Sequence, residues 1–332
     1  MKIARISGAS CAILITGVFV ATVVGAGCTP DATPAAATEP PEALSVFYTC
    51  DMRGHISPCN CVQGVAGGIA RRKTYLDSKR TADAILVDAG DVTAGPREWE
   101  ILELEYILKG YAAMGYDAVN VGAREASLSA EQLCTLRDGH AFLISANVRD
   151  EAGERIFPAF RVKTLSNGYR VGIVGIVEST IPPDELGAGV QVTAPAEALA
   201  EVLPEVTKAS DLIVLLAFVD ETSMKALAER FFEVDLIIGG DVEQPTGTPL
   251  QVNRSHIAYV TDKGKSVGWL DLRFVDGQAV VADSSTTLLL EDVPDDPAMA
   301  KLVDELRLKQ VERNYPIEKD DEEGLSRVSS GG

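Results

Sequence analysis

Histidine is scarce in this chain of 332 residues, which contains only His55, His140 and His256. Basic residues are also a minority: 30 lysines and arginines face 49 aspartates and glutamates, and the net charge is −19. Because a phosphate backbone selects basic surfaces, this balance excludes nucleic acid as an expected partner. Three histidines also leave few imidazole ligands for a metal centre.

An apolar run at residues 12–24 is short for a membrane span, and positive charge precedes it at Lys2 and Arg5. Both features are typical of a signal peptide. The run ends at the sequence GAGC, which resembles a bacterial lipobox with Cys28 as the lipidated residue. We therefore expect a lipoprotein signal peptide over residues 1–28 and a lipid-anchored protein of the bacterial cell envelope, facing the periplasm or at the outer membrane. A conventionally cleaved secretory signal and an uncleaved anchor are the alternatives.

Beyond the signal region, four cysteines could form two disulfides in an oxidising compartment: Cys50, Cys59, Cys61 and Cys134. Cys59 and Cys61 form a C-x-C pair that permits three interpretations. One of them could be linked to Cys50 or Cys134 by a structural disulfide. The pair could instead exchange electrons as thiols, or bind Zn²⁺ or Cu⁺ together with His55.

From residue 44 onward, short β-rich runs alternate with helical patterns, which predicts an α/β layered architecture. Residues 29–43 are rich in Ala, Pro, Thr and Glu and are expected to form a flexible tether. A single domain is expected over residues 44–290, followed by a C-terminal helix within residues 291–315. The acidic and then Ser/Gly-rich residues 316–332 are predicted to be disordered.

Five segments stand in a fixed order, at residues 48–54, 86–91, 114–125, 213–218 and 234–241, and read YTCDMRG, LVDAGD, MGYDAVNVGARE, IVLLAF and VDLIIGGD. Together they resemble the catalytic domain of the 5'-nucleotidase branch of the calcineurin-like metallophosphoesterases, in which they read roughly TNDxHG, DAGD, MGYDAxxxGNHE, IxLxH and VDxIIGGHxH. The resemblance implies a four-layer α/β/β/α sandwich and, if the site is active, a phosphoric ester hydrolase of the 5'-nucleotidase type. It covers about residues 45 to 275, so the second, nucleobase-stacking domain of a full 5'-nucleotidase is not expected here.

The resemblance also assigns roles to individual positions of the site. Asp51 stands at a ligand position and Asp91 at the position of the carboxylate that bridges two metals. Arg53 stands where the first motif has a histidine, and Arg124 replaces the histidine that assists catalysis. Glu125 of the same motif is retained, so Arg124 and Glu125 are the candidate catalytic positions.

The remaining ligand positions are altered as well. Ala123 replaces an asparagine and Phe218 a histidine, while Asp241 and Glu243 replace the last two histidines. His55 lies two residues beyond the first motif's histidine position and is a further candidate ligand.

Three interpretations of this altered site remain open. Arg53 and Arg124 could pair with the acidic residues and compensate their charge in place of metals. Asp51, Asp91, Asp241 and Glu243 could form an oxygen-rich site that suits Mg²⁺, Mn²⁺ or Ca²⁺ better than Zn²⁺. The arginines could also bind a phosphate or sulfate group directly. The cofactor is accordingly a divalent cation (Mn, Mg, Ca or Zn) or none.

The cysteine pair adds a second resemblance, because a cysteine just after the first motif is similar to the UshA-like (seleno)proteins of this superfamily. Three functions therefore compete. The first is a lipoprotein with a degenerate site, little or no phosphoesterase activity, and a small molecule or protein as its partner. The second is a divergent metal-dependent phosphoester hydrolase, and the third a thiol redox or metal-handling protein that uses Cys59 and Cys61.

Overall fold

The structure is a computed structural model that describes residues 38–61, 64–178, 180–242, 244–260 and 263–317, without the side chains of residues 60, 61 and 64. The predicted signal peptide, the predicted lipidation site Cys28 and the predicted tether up to residue 37 lie outside the described residues. Glu243 and the predicted tail from residue 318 lie outside them as well.

The secondary structure alternates between strands and helices, as the sequence predicts. The described residues form sixteen strands: β1 (Leu44–Thr49), β2 (Cys59–Cys61), β3 (Gly64–Ala66), β4 (Ile85–Asp88), β5 (Ala118–Asn120), β6 (Leu143–Ile144), β7 (Val148–Asp150), β8 (Phe160–Thr164), β9 (Arg170–Val177), β10 (Val190–Val192), β11 (Leu212–Phe218), β12 (Leu236–Gly239), β13 (Leu250–Val252), β14 (Ser255–Tyr259), β15 (Ser266–Val275) and β16 (Gln278–Leu288). They also form six α-helices: α1 (Ile69–Lys79), α2 (Glu98–Met114), α3 (Ala130–Gly139), α4 (Pro195–Ala209), α5 (Glu221–Arg230) and α6 (Pro297–Glu312).

Two six-stranded sheets form the centre of the domain. The first has the order β16-β15-β1-β4-β5-β6, and the second has the order β13-β14-β12-β11-β9-β8. In the first sheet β1, β4, β5 and β6 run parallel, while β15 and β16 form an antiparallel edge. In the second sheet β9, β11, β12 and β14 run parallel between antiparallel edge strands. The carboxyl ends of the parallel strands of each sheet therefore meet at one edge of that sheet.

Apolar side chains fill three separate layers. The layer between the sheets contains residues of both, such as Val87 and Val214. Helices α1, α2, α3 and α6 cover the outer face of the first sheet, and α4 and α5 cover that of the second, for example through Leu199. Burying one such Leu or Val side chain stabilises the fold by roughly 1.5–3 kcal/mol. The arrangement confirms the predicted four-layer α/β/β/α sandwich.

The C-terminal helix α6 belongs to this sandwich. Asp296 caps it by accepting a hydrogen bond from the Met299 N–H at 2.9 Å, and Pro297 occupies the first turn. The helix buries Met299, Val303 and Leu306 against the layer that α1 and α2 contribute to. None of the helices formed by the described residues is long and apolar enough to span a bilayer.

Candidate functional site

The five sequence segments converge on one cleft, because they end or follow parallel strands whose carboxyl ends lie at the same edge. The cleft has a volume of about 580 Å³. Its lining includes Arg53, Asp91, Arg124 and Asp241 from the loops after β1, β4, β5 and β12, and Phe218 from the end of β11. The structure thus brings most of the candidate positions together, as strand topology requires.

The three aspartates that follow the strand ends share one backbone conformation. Asp51, Asp91 and Asp241 have φ angles of 53°, 56° and 53°. A positive φ is uncommon for residues other than glycine, and aspartate is among the few that tolerate it. The chain therefore turns at each of these acidic positions.

Arg53 pairs with Asp51 in the first loop. The Arg53 Nε atom lies 2.6 Å from Asp51 Oδ1, and the side chain of Asp51 is 3% exposed whereas that of Arg53 is 36% exposed. The backbone fixes this loop against the second one, because the Arg53 N–H donates to the Asp91 carbonyl at 3.0 Å. A guanidinium thus stands beside the buried carboxylate, at the position where the related motif has a metal-binding histidine.

Arg124 pairs with Asp91 in a similar way. Its backbone N–H donates to Asp91 Oδ1 at 2.9 Å, and its Nε lies 3.4 Å from Asp91 Oδ2. Its Nη1 donates to the carbonyl of Ala94 at 3.0 Å. A Cβ on Gly122 would lie 2.3 Å from Asp91 Oδ1, so only glycine permits this close approach of the loops. Both oxygens of the Asp91 carboxylate are therefore engaged by a single residue.

Glu125 lies beneath these pairs and is 4% exposed. Its carboxylate accepts backbone N–H groups from Asp91, Thr93 and Gly122 at 3.0, 2.7 and 2.8 Å. Burial raises the pKa of Glu125 to about 7, against the effect of these hydrogen bonds, which lower it. Burial and the neighbouring Glu125 also raise the pKa of Asp91. Glu125 is thus placed to hold the loops after β4 and β5, and its carboxylate is directed at their backbone.

A fully buried polar network lies behind β1 and β4. Arg72, which is 0% exposed, donates to the hydroxyls of Tyr111 and Tyr116 at 2.8 and 3.1 Å. Asp88 accepts from the Tyr111 hydroxyl at 2.9 Å and from the Thr49 hydroxyl at 2.6 Å. The two tyrosine rings stack with centroids 4.0 Å apart. Sequence reasoning missed this network.

One signal for the network was present in the sequence. Arg72 shares the buried face of α1 with Ile69 and Leu76, at spacings of three and four residues. A charged residue inside such an apolar stripe is rarely buried unless it is paired. The stripe therefore indicated a buried partner, although it could not identify Tyr111 or Tyr116.

The histidines lie elsewhere in the fold. His55 follows the first motif and its N–H donates to the Met52 carbonyl at 3.0 Å, but it is absent from the cleft lining. His140 caps the C-terminus of α3, and His256 lies in β14. None of the three imidazoles is among the described residues that line the cleft.

Among the described residues, several of the positions that correspond to metal ligands offer no donor atom for a metal. A guanidinium stays protonated and offers no lone pair, and the side chains of Ala123 and Phe218 have no donor atom. Phe218 is 4% exposed and packs so closely that a Cβ on Gly240 would lie 2.3 Å from its ring. In the part of the chain that the structure describes, no three His, Cys, Asp or Glu residues are grouped so that they could hold a metal ion.

Cys50 and Cys134 are thiols, and neither forms a structural disulfide. Cys50 is buried, its Sγ donates to the Val260 carbonyl at 3.1 Å, and burial raises its pKa. Cys50 and Cys134 are both free thiols, so neither forms the disulfide considered for Cys59 or Cys61. Cys59 is 7% exposed and lies in β2, which pairs with β3, while the side chain of Cys61 is outside the described residues.

Similar proteins are found by sequence, although no protein-family model matches the chain. The 5'-nucleotidase of Vibrio vulnificus is 26% identical over 298 residues, which cover 76% of this chain and 53% of the relative. The uncharacterized metallophosphoesterase YunD of Bacillus subtilis is 29% identical over 246 residues, covering 70% and 50%. The chain thus spans about half the length of the curated relatives it matches.

Solved structures share the fold. The 5'-nucleotidase precursor of Thermus thermophilus superposes with a TM-score of 0.69 at 22% identity, covering 81% of this chain and 59% of that one. The calcineurin-like phosphoesterase YfkN of Bacillus subtilis gives a TM-score of 0.68 at 22% identity, covering 82% and 99%. The chain has the calcineurin-like metallophosphoesterase fold. Its sequence is similar to the 5'-nucleotidases, and this confirms the resemblance drawn from the five segments.

Proposed function

We propose that this chain is an exported, lipid-anchored bacterial protein whose metallophosphoesterase-like domain has little or no phosphoesterase activity. In this proposal arginine side chains take over the charge compensation that two divalent cations supply in an active site. The observation that carries it is the pairing of Arg53 with Asp51 and of Arg124 with Asp91, at 2.6 and 3.4 Å.

The chemistry of hydrolysis supports this interpretation. Two-metal phosphoesterases generate hydroxide at a bound metal and neutralise charge on the phosphoryl oxygens. A guanidinium can perform the second task, but it cannot lower the pKa of a bound water as a metal does. In this proposal the arginines of the cleft supply positive charge but do not produce the nucleophile.

The cleft supports a role in binding. It is open and has a volume of about 580 Å³. Its lining combines Arg53 and Arg124 with apolar side chains such as Ile181 and Leu186 and with four acidic residues, Asp91, Asp184, Glu185 and Asp241. Pockets that bind small molecules have this combination of apolar walls and a few oriented polar groups, at about 300–1,000 Å³. A small molecule or a protein segment is therefore the partner we propose.

The experiment combines elemental analysis with an activity assay on the full chain in detergent. We expect no stoichiometric Mn, Fe or Zn and no Mn²⁺-dependent hydrolysis of bis(p-nitrophenyl) phosphate. Asp91→Asn is the matched variant, because it removes the carboxylate at the bridging position. Two equivalents of metal per chain, with hydrolysis that Asp91→Asn abolishes, would overturn the proposal and favour a divergent phosphoester hydrolase.

The lipid anchor has its own test. Mass spectrometry of the chain from its native membrane should show a diacylglycerol adduct at Cys28, and Cys28→Ser should release the protein from the membrane fraction. A single acyl chain binds membranes only marginally, whereas two or more anchor stably. A soluble mature form that begins downstream of Cys28 would replace the anchor with a conventionally cleaved signal peptide.

A further inference from the structure

A second cavity lies apart from the cleft, on the helix-covered face of the first sheet. It is a groove of about 430 Å³ between α1 and the strands β1, β15 and β16. Its lining includes Phe47, Tyr75, Lys79, Trp269 and Thr287. The described residues of the altered metal positions and of the arginine pairs do not contribute to it, so what it binds is independent of the function proposed for the cleft.

An aromatic floor runs across the strands of this groove. Trp269 of β15 is paired directly with Phe47 of β1 on one side and with Ser285 of β16 on the other. Phe47 is 2% exposed and packs into the helix-side core, whereas Trp269 is only partly buried against that core. The indole is therefore the accessible part of the floor, and the buried Phe47 beside it packs in the core.

Polar groups surround this floor. Ser45, Ser285 and Thr287 line the groove from the sheet, and the Tyr75 hydroxyl of α1 lies 2.9 Å from the Thr287 Oγ1. This contact joins the helix to the edge strand and fixes one wall. Hydroxyl groups can both donate and accept hydrogen bonds, so the wall suits a ligand that carries many hydroxyls itself.

The groove has a charge that differs from that of the whole chain. Among the described residues that line it, Lys79 is the only one with a charge, and it stands exposed in the last turn of α1. The whole chain has a net charge of −19. A local ammonium group on a strongly acidic protein selects an anionic group at that point, and the selection weakens as salt is added.

We propose that this groove binds one ring of an acidic carbohydrate. The apolar face of the sugar ring packs on Trp269, its hydroxyls bond to Ser285 and Thr287, and its carboxylate faces Lys79. An aromatic side chain has both a large apolar face and a low conformational entropy cost, which suits it to this packing. The groove's volume lies within the range of about 300–1,000 Å³ that small-molecule sites occupy.

The two tryptophans of the chain, Trp99 and Trp269, allow a direct test. Trp99→Phe leaves Trp269 as the only indole, so its emission reports on the groove alone. The full chain, in a detergent without sugar headgroups, is titrated with D-glucuronate, D-glucose, acetate and benzoate. We expect a saturable change with glucuronate, weaker binding of glucose, and no change with acetate.

Variants separate the contributions of charge and ring. Lys79→Met should weaken glucuronate by about two- to fivefold, as for an exposed charge pair, and leave glucose unchanged. Trp269→Ala should weaken the binding of both sugars by about tenfold. This variant lacks the reporting indole, so its binding is measured by saturation-transfer NMR on a chain that is otherwise wild type. Circular dichroism and the melting temperature establish that each variant is folded.

Several outcomes would overturn the proposal. If neither sugar gives a saturable change, in fluorescence or in NMR on the wild-type chain, the groove is not a carbohydrate site. If acetate gave a response equal to that of glucuronate, the groove would bind any carboxylate through the ammonium group of Lys79 and would not recognise a sugar. Binding of benzoate without binding of either sugar would assign it to aromatic acids instead.

Discussion

Arginines approach buried aspartates at two places in this domain, and the arginine side chains at the two places differ in how deeply they are buried. Arg72 is fully buried and is linked to Asp88 through the hydroxyl of Tyr111. Its Nε makes no hydrogen bond within the described structure. Arg53 and Arg124 have side chains that are 36% and 40% exposed, and they border an open cleft.

The loops of the candidate site depend on contacts that lie below the exposed arginines. The loops after β4 and β5 are held from below by Glu125, which accepts three backbone N–H groups. None of these contacts needs a metal, so the loop geometry can persist when the metal ligands change. If arginines replace metal ions as we propose, the substitution changes the surface above, while the hydrogen bonds to Glu125 in the layer beneath are retained.

The largest effect should follow from changing the deep arginine. Arg72→Met removes the donor that the two tyrosine hydroxyls share, and breaking a buried charged network costs about 3–5 kcal/mol. Arg124→Met, at the cleft surface, should cost about 1 kcal/mol or less, because its pair is partly solvated. Urea denaturation of both variants measures the difference. Equal losses would show that the two sets of arginines do not differ in their structural role.

A pH effect of similar size is expected from Glu125. Its pKa of about 7 in the folded chain lies above the ordinary value of 4.5, so the folded state binds the proton more tightly. Its contribution to stability is full below pH 4.5 and is lost as the pH rises through 7, a change of about 3 kcal/mol. Asp91, whose pKa is also raised, acts in the same direction.

Glu125→Gln isolates this contribution. The amide cannot titrate, although its nitrogen would face a backbone N–H and lower the stability at every pH. The free energy of unfolding of the wild-type chain should therefore fall relative to the variant between pH 4.5 and 7. Parallel pH profiles for the two proteins would show that the carboxylate is already ionised throughout that range.

A smaller effect tests whether the arginines stand in for metals. The double variant Arg53→Met, Arg124→Met leaves Asp51 and Asp91 without their guanidinium partners, and Asp51 is close enough to raise the pKa of Asp91. Mn²⁺ should then stabilise the variant, by about 2.7 kcal/mol at one hundred times the dissociation constant. The melting temperature of the wild-type chain should not respond, and Asp91→Asn should cancel the gain. A double variant that is indifferent to Mn²⁺ would contradict the substitution of metals by arginines.

The sequence predicted the scaffold better than the contacts within it. An Asp-Gly pair is a sequence signal for a hairpin turn, and Asp276 and Gly277 both have positive φ where β15 turns into β16. The edge strand β8 was missed, because its apolar–polar alternation covers only residues 160–163 and most of its residues are exposed. Such strands form through main-chain pairing with a neighbour, which a local pattern does not record.

The same limit applies to the site. Arginine–carboxylate pairing was one of three interpretations that the sequence left open, and the sequence did not indicate that Arg53 would join Asp51 and Arg124 would join Asp91. That choice depends on the positive φ angles of the loops and on the close approach at Gly122. Both follow from how two strands are placed side by side, so they become visible only in three dimensions.

The smallest effect concerns the thiols, which repeat the contrast between depth and surface. Cys50 is 2% exposed, donates to the Val260 carbonyl, and has a raised pKa, so little thiolate forms there. Cys134 is half-buried on α3. Alkylation followed by mass spectrometry should therefore label Cys134 in the folded chain and Cys50 only on unfolding. In the variant Cys59→Ser, Cys61→Ser, the rapidly reacting thiols should fall in number if these cysteines serve a redox function. An unchanged count would show that Cys59 and Cys61 are not reactive and would contradict a redox function. Cys50 could not replace them, because its thiol is buried.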